Sequence, residues 1–426
     1  MTDRRRSIYE VGLLAALVTV LTAAGAWIYP IWDDGRLLLA IQESGRQAIW
    51  INFGNRPLAA LFYIFLMKYE AFLYASIVLN WITWLGMGLV TMHFWRLMFP
   101  AHSRFALLPA LLSVAPILTK VQFAILTIPT IVMVGPLLGF IAIFMFLSEQ
   151  PGRSRKVIVA TAGLLLLAFS ILISEYGVVT AVVALILVSA QVIRYSSERK
   201  WQQWVVPALI AMCTLISYSF YLWLGSGTGK DAFRPGYMLA VPGWRIRGIP
   251  FRWLSGIWRG EIGGLLESLG SVTLTTKAAF LSFVCGAVVS ALVVMLIHKR
   301  GAVEFTLRQD RFSIITLFVA VAAALMPVVL MDRTLETKWD SRFWVPVIPL
   351  LSSLSVYILF YVLRARLYFL VPILCGFLTG YWTTFEIART FRNPDPVVAL
   401  PLHFESQISD YVTADIRNQL KMGNRA

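Results

Sequence analysis

Apolar runs of about twenty residues recur along this chain with basic clusters between them, and no other feature limits its fold as tightly. A helix of that length matches the hydrocarbon thickness of a bilayer. Within lipid, only helices and closed barrels satisfy their own backbone hydrogen bonds. Candidate spans fall near 10 to 30, 72 to 95, 104 to 119, 127 to 147, 157 to 173, 176 to 193, 203 to 224, 273 to 297, 312 to 331, 343 to 363 and 367 to 386. The spacing predicts an all-α, polytopic transmembrane bundle of about eleven spans. Composition agrees, with 58% hydrophobic and 14% charged residues and a mean hydropathy of +0.74, values outside the range of ordinary soluble domains.

Basic clusters set the expected orientation. Arg4/Arg5/Arg6, Arg96/Arg104, Arg153/Arg155/Lys156, Arg194/Arg199/Lys200, Lys299/Arg300/Arg308/Arg311 and Arg364/Arg366 recur with two spans between neighbours, so they can share one face. The positive-inside rule makes that face cytoplasmic, with the amino terminus in and the carboxyl terminus out. Most of the net charge of +15 then lies where it orients the protein or meets anionic membrane lipid, and nucleic acid is not an expected partner.

The same parity bears on 57 to 95, long enough for two spans but interrupted by Lys68, Tyr69 and Glu70. Two crossings would put Arg96 and Arg104 outside, so 57 to 70 reads as an amphipathic helix in the outer interface, with two spans over 57 to 95 as the alternative. The expected organisation is one transmembrane domain over 1–386, with an outer loop at 31–70 and a basic outer loop at 225–272, followed by a short outer tail at 387–426. A cleaved signal peptide is the alternative for the amino terminus, given Arg4 to Arg6, an apolar core and the small residues Ala23 to Ala26. The apolar run is long for that role.

Cys213, Cys285 and Cys375 are far apart inside apolar runs, and His93, His102, His298 and His403 lack metal-ligand spacing. Neither a disulfide framework nor a zinc site is expected.

Charges at the expected outer face form three constellations. Directly after the first run stands Trp32-Asp33-Asp34-Gly35-Arg36, with Asn55-Arg56-Pro57-Leu58 farther on. Two adjacent carboxylates at the mouth of a span are costly unless used. One would take a proton from an acceptor hydroxyl while the other orients it or binds a divalent cation. A helix N-cap with a solvated acidic pair is the plainer reading. The second constellation is the basic loop with Lys230, Arg234, Arg245, Arg247, Arg252 and Arg259 among aromatic residues, suited to lipid phosphate or to simple anchoring. The third is Asp340-Ser341-Arg342 ahead of Pro346 and Pro349, where a guanidinium fork suits phosphate and pairing with Asp340 is the plainer alternative. Lys120 with Gln122 and Glu175 with Tyr176 are lesser candidates at outer span ends.

The order of first span, Trp-Asp33-Asp34-Gly35-Arg36, Asn55-Arg56-Pro57-Leu58 and a late arginine-and-proline span start at Arg342 to Pro349 resembles the GT-C superfamily of membrane glycosyltransferases. The resemblance implies an acidic catalytic base in the first outer loop and a sugar donor carried on a polyprenyl phosphate. It maps the base onto Asp33 or Asp34 and donor-phosphate contacts onto Arg342, then onto the basic loop. The soluble outer domain that many members carry is missing, which implies a compact member acting on a lipid-linked or cell-surface glycan.

The expectation is therefore an inverting transfer of one sugar to an acceptor hydroxyl at the outer face of a bacterial cytoplasmic membrane. Arg36, Arg56, Lys120, Glu175, Arg245, Arg247, Arg252 and Arg342 are the expected substrate-binding residues, with no metal ligand assigned. A lipid-linked glycan polymerase or ligase would depend more on the basic loop than on Asp33 and Asp34. A transporter or flippase would instead want ionisable groups near mid-span and matching interrupted halves.

Overall fold

The computed structural model describes residues 3–27, 57–67, 72–115, 133–148, 153–174, 176–195, 201–226, 276–298, 311–330 and 346–392. These form helices α1 (Asp3–Trp27), α2 (Pro57–Met67), α3 (Phe72–Met98), α4 (Leu107–Val114), α5 (Gly135–Leu147), α6 (Arg153–Ile173), α7 (Tyr176–Tyr195), α8 (Val205–Ser226), α9 (Thr276–His298), α10 (Arg311–Leu330), α11 (Ile348–Leu367) and α12 (Leu370–Arg392). Tight 3-10 turns occupy Pro100–Phe105 and Trp201–Trp204, and no strand occurs among the described residues.

Four helices contain stretches long and apolar enough to cross a membrane: Ser7–Ala24, Ile77–Met98, Tyr176–Arg194 and Phe280–Ile297. Six more carry shorter apolar stretches, among them Val157–Ile173 and Leu370–Phe385. Large apolar side chains such as Leu215, Phe280, Trp223 and Ile158 stand exposed on the flanks of the bundle. An apolar surface of that extent fits contact with lipid.

Three expectations change in detail. The run from 104 to 119 holds an eight-residue helix, α4, about 12 Å long at 1.5 Å per residue. Its chain turns extended at Ala115 (φ −66°, ψ 136°) because Pro116 follows, and proline disfavours the helical conformation in the residue before it. The segment expected to be amphipathic contains α2, which over Pro57–Met67 has no charged residue and is apolar on all sides. Ala59 and Ala60 are buried while Leu61 and Phe65 are exposed. Finally, α12 runs to Arg392, so the first residues assigned to the tail continue a helix.

Side-chain contacts fix the helix directions. Trp81 Nε1 donates to Thr19 Oγ1 at 2.9 Å and Arg96 Nη2 to Glu10 Oε2 at 2.9 Å, so α1 and α3 are antiparallel. Thr83 lies against Met133 and His93 stacks edge-on with Phe144 at 4.6 Å, so α5 runs parallel to α3. Gly135 meets Ser170 near the end of α6, and a Cβ on Gly135 would lie 3.9 Å from Gly177 N at the start of α7. Helices α5 and α7 are thus parallel with α6 antiparallel between their ends. Arg194 Nη1 reaches Ser313 Oγ at 3.3 Å, joining the end of α7 to the start of α10.

Arg96, Arg194 and the start of α10 at Arg311 consequently lie at one end of the bundle, here called the basic end. At that end Phe99 stacks on Tyr357 at 5.4 Å, and Phe105 packs against Phe360 at 4.7 Å. A separate seam joins α9 to α12, where a Cβ on Gly376 would meet Ser290 Cα at 2.7 Å and one on Gly380 would meet Cys285 O at 2.6 Å. The sequence Gly376-Phe-Leu-Thr-Gly380 is the small-xxx-small pattern that lets helix backbones approach closely in lipid.

Candidate functional site

None of the residues expected to act on substrate is described. Asp33, Asp34, Arg36 and Arg56, Lys120 and Glu175, Arg245, Arg247, Arg252 and Arg342 all lie outside the described residues. What the fold does give is the position of the helix ends from which those segments leave.

Among the described residues, the end opposite the basic end is stepped. Helix α4 stops level with Gly88, whose Cβ would lie 2.9 Å from Val114 Cγ1. Helix α5 starts level with Thr83, and Ser174 at the end of α6 meets Gly135 and Gly177 at the starts of α5 and α7. By contrast, α3 continues for the eleven residues from Phe72 to Ile82, about 17 Å at 1.5 Å per residue. Its partner α1 keeps pace. Given the Thr19–Trp81 and Glu10–Arg96 pairings, Trp27 at its end is level with the first turns of α3. Among the described residues, helices α1 and α3 therefore extend past the ends of α4, α5, α6 and α7. Asp33 follows Trp27 by six residues in sequence.

Buried polar groups gather along this step. Ser170 Oγ donates to Gly135 O at 2.6 Å and lies 3.5 Å from Thr180 Oγ1, which itself donates to Gly177 O at 2.8 Å. Gly177 N donates to Ser174 O at 3.0 Å. Ser174 Oγ, Thr22 Oγ1 on α1 and Trp84 Nε1 on α3 are buried with no hydrogen-bond partner among the described residues. Asn80 and Thr83 are buried on the same stretch of α3. Leaving groups such as Ser174 Oγ, Thr22 Oγ1 and Trp84 Nε1 unmatched costs about 1–3 kcal/mol each, so a native chain tends to keep them where something else answers them.

Sequence reading passed over these residues, because isolated serines, threonines and an asparagine barely lower the hydropathy of an apolar run. It also passed over Glu10, which is 2% exposed and paired with Arg96 across 86 positions of chain. A signal for Glu10 existed, since a lone acid at the start of an apolar run calls for a partner. Among the described residues no three His, Cys, Asp or Glu side chains come together to hold a metal ion. The paired acids at 33 and 34 lie outside the described residues.

The chemistry this arrangement allows is limited to holding and orienting. Hydroxyls and an indole N–H can bind oxygen-rich groups, and none of them is a proton acceptor of carboxylate strength. No family model, curated protein or solved structure matches this chain.

Proposed function

We propose that this protein is a GT-C-like membrane glycosyltransferase that moves a sugar from a polyprenyl-phosphate donor to a lipid-linked or cell-surface glycan. In this reading the basic end faces the cytoplasm, and the chain leaves α1 on the outer side of a bacterial cytoplasmic membrane. The observation that carries it is the pair Asp33 and Asp34, following a helix whose end stands opposite the arginines and beside a row of buried polar groups.

The shortness of α4 does not disturb the parity on which this orientation rests. Whether α4 and α5 each cross the bilayer or turn back halfway, they leave and return to the same side as a pair. Eleven crossings and nine therefore put Asp33 and Asp34 on the same face.

The reaction follows from charge. Asp33 or Asp34 takes the proton of the acceptor hydroxyl as its oxygen bonds to the anomeric carbon, and the bond from that carbon to the phosphate oxygen breaks. Attack from the face opposite the phosphate inverts the anomeric centre. Charge builds on the departing phosphate, and Arg342, with Arg245, Arg247 and Arg252, is assigned to stabilise it by an amount of a few kcal/mol. Arg36, Arg56, Lys120 and Glu175 are assigned to hold donor or acceptor. A divalent cation at the acidic pair is compatible with this scheme.

The test uses purified protein, a radiolabelled polyprenyl-phosphate sugar and extracted acceptor. Asp33→Asn or Asp34→Asn is expected to lower transfer by about 100-fold or more, the scale of losing a positioned base. Full transfer by both single variants and by the double variant would remove the proposed base. Arg342→Ala is expected to weaken donor binding, and unchanged donor affinity would remove that assignment separately.

A further inference from the structure

Between Ser7 and Trp27 helix α1 carries a single charged residue, Glu10. It lies inside the apolar stretch Ser7–Ala24 and is 2% exposed, and Arg96 Nη2 donates to its Oε2 at 2.9 Å across 86 positions of chain. Spanning a bilayer does not call for a carboxylate there. A charge within a membrane bundle is expensive, and replacing a buried ion pair by apolar side chains often stabilises a fold. The best-attested use of such a pair is to fix register, because a shift that parts the two leaves a buried charge uncompensated.

The other contacts of α1 discriminate register poorly. Leu14, Val18 and Leu21 form its buried stripe, and a slide of three residues toward the basic end would present Leu17, Leu21 and Ala24 instead, apolar in turn. In lipid that exchange changes little, since burying apolar surface between helices gains almost nothing there. Gly88, which faces Leu14, has no side chain to tell one leucine from another. The bond from Trp81 Nε1 to Thr19 Oγ1 is degenerate too, because Thr22 follows by three residues and the same slide carries its hydroxyl toward the indole. Thr22 is buried, and its Oγ1 has no hydrogen-bond partner among the described residues. Glu10 has no such substitute, since the slide would bring Leu13 to its place.

We infer that Glu10 and Arg96 are positioning residues, whose ion pair locks the register of α1 against α3 and so sets the height at which the chain leaves toward Asp33 and Asp34. A slip of three residues moves Trp27 by about 4.5 Å, at 1.5 Å per residue. Misplacing a reacting group by about 1 Å can cost about 100-fold in rate. The consequence for Asp33 and Asp34 rests on the proposed transfer, whereas the lock itself requires only the contact between α1 and α3.

The experiment combines Trp81→Cys with Ala16→Cys, Thr19→Cys or Thr22→Cys in the full chain. Each pair is treated in detergent with a short bifunctional thiol reagent, and the linked peptides are quantified by mass spectrometry. With Glu10 and Arg96 intact, linkage through position 19 is expected to exceed that through 16 and 22 by about tenfold. Glu10→Gln should bring 22 to within about twofold of 19, and the exchange Glu10→Arg with Arg96→Glu should restore the preference for 19. Arg96→Lys keeps a cation and should shift the ratio less, which supplies the comparison if Glu10→Gln does not fold. An unchanged preference for 19 in Glu10→Gln would overturn the inference. So would a general loosening, in which all three linkages change together at a constant ratio, or an exchange that leaves the ratio shifted. Sugar transfer by Glu10→Gln, with the native residues at 16, 19, 22 and 81, should fall about 100-fold and recover in the exchanged pair. Full transfer by a variant whose ratio has shifted would remove the positioning role. A native chain that transfers no sugar would remove the catalytic reading, and the linkage ratio would still decide the lock.

Discussion

Two seams in this bundle use small residues for opposite ends. Between α9 and α12, Gly376 and Gly380 bring two backbones together, with one hydroxyl bond across them, Ser290 Oγ to Ile373 O at 3.2 Å. Between α5, α6 and α7, Gly135, Gly139 and Gly177 make room for Ser170, Ser174 and Thr180, whose hydroxyls and carbonyls bond across the helix ends. The first seam is dominated by close backbone packing. In lipid, where burying apolar surface between helices gains little, dispersion and backbone approach must hold helices together. The second seam spends the same closeness on polar groups and leaves one, Ser174 Oγ, without a partner among the described residues. Helix α12 likewise carries Thr383 Oγ1 and Trp382 Nε1 buried without a partner among the described residues, so the contrast between the seams rests on the bonds that do form rather than on the unmatched group.

The largest effects should come from adding a methyl group where each seam is tightest. A Cβ on Gly177 would collide with backbone atoms of Ser170 and Ile171, which cannot move aside without shifting α6. Gly177→Ala is expected to cost about 3 kcal/mol. On Gly380 a Cβ meets Cys285 O at 2.6 Å and the movable Val289 side chain at 2.9 Å, so Gly380→Ala should cost about 2 kcal/mol. Thermal unfolding in detergent, followed by size-exclusion recovery, ranks the two. A larger loss at Gly380 would reverse the order of rigidity inferred for the seams.

Intermediate effects should separate the seams by their hydrogen bonds. Ser170→Ala removes a 2.6 Å bond to Gly135 O and a contact to Thr180, and should cost about 1 kcal/mol. Ser290→Ala removes one 3.2 Å bond beside an otherwise apolar contact and should cost about 0.5 kcal/mol or less. Equal losses in the same unfolding assay would mean that the α5, α6 and α7 cluster is no more dependent on polarity than the α9 and α12 pair.

How far each seam was readable in sequence differs for a physical reason. Run length alone located the helices well, because hydrocarbon thickness sets how many apolar residues a crossing needs: 72 to 95 became Phe72–Met98, and 157 to 173 became Arg153–Ile173. It failed at α4, where Pro116 inside the expected run mattered more than hydropathy. The acidic pair at 33 and 34 stood out because charge is rare in such a chain. Ser170 and Gly135 did not, being uncharged and 35 residues apart, so only the fold reveals that they meet. Glu10 was hidden similarly, its partner Arg96 being legible only as one more member of a basic cluster.

The smallest expected change in stability is the most informative about function. Ser174 Oγ is buried without a partner among the described residues, so Ser174→Ala deletes an unmet polar group rather than a bond and should leave stability within about 0.5 kcal/mol or raise it. If the row of polar groups beside α1 and α3 serves the proposed transfer, the same variant should lower the rate several-fold while the protein melts as before. A purely structural seam predicts the reverse pairing, with rate unchanged and any effect confined to melting. Measuring both quantities on one preparation distinguishes the two, because Ser170→Ala, which breaks a formed bond, supplies the pattern of a structural loss against which Ser174→Ala is read.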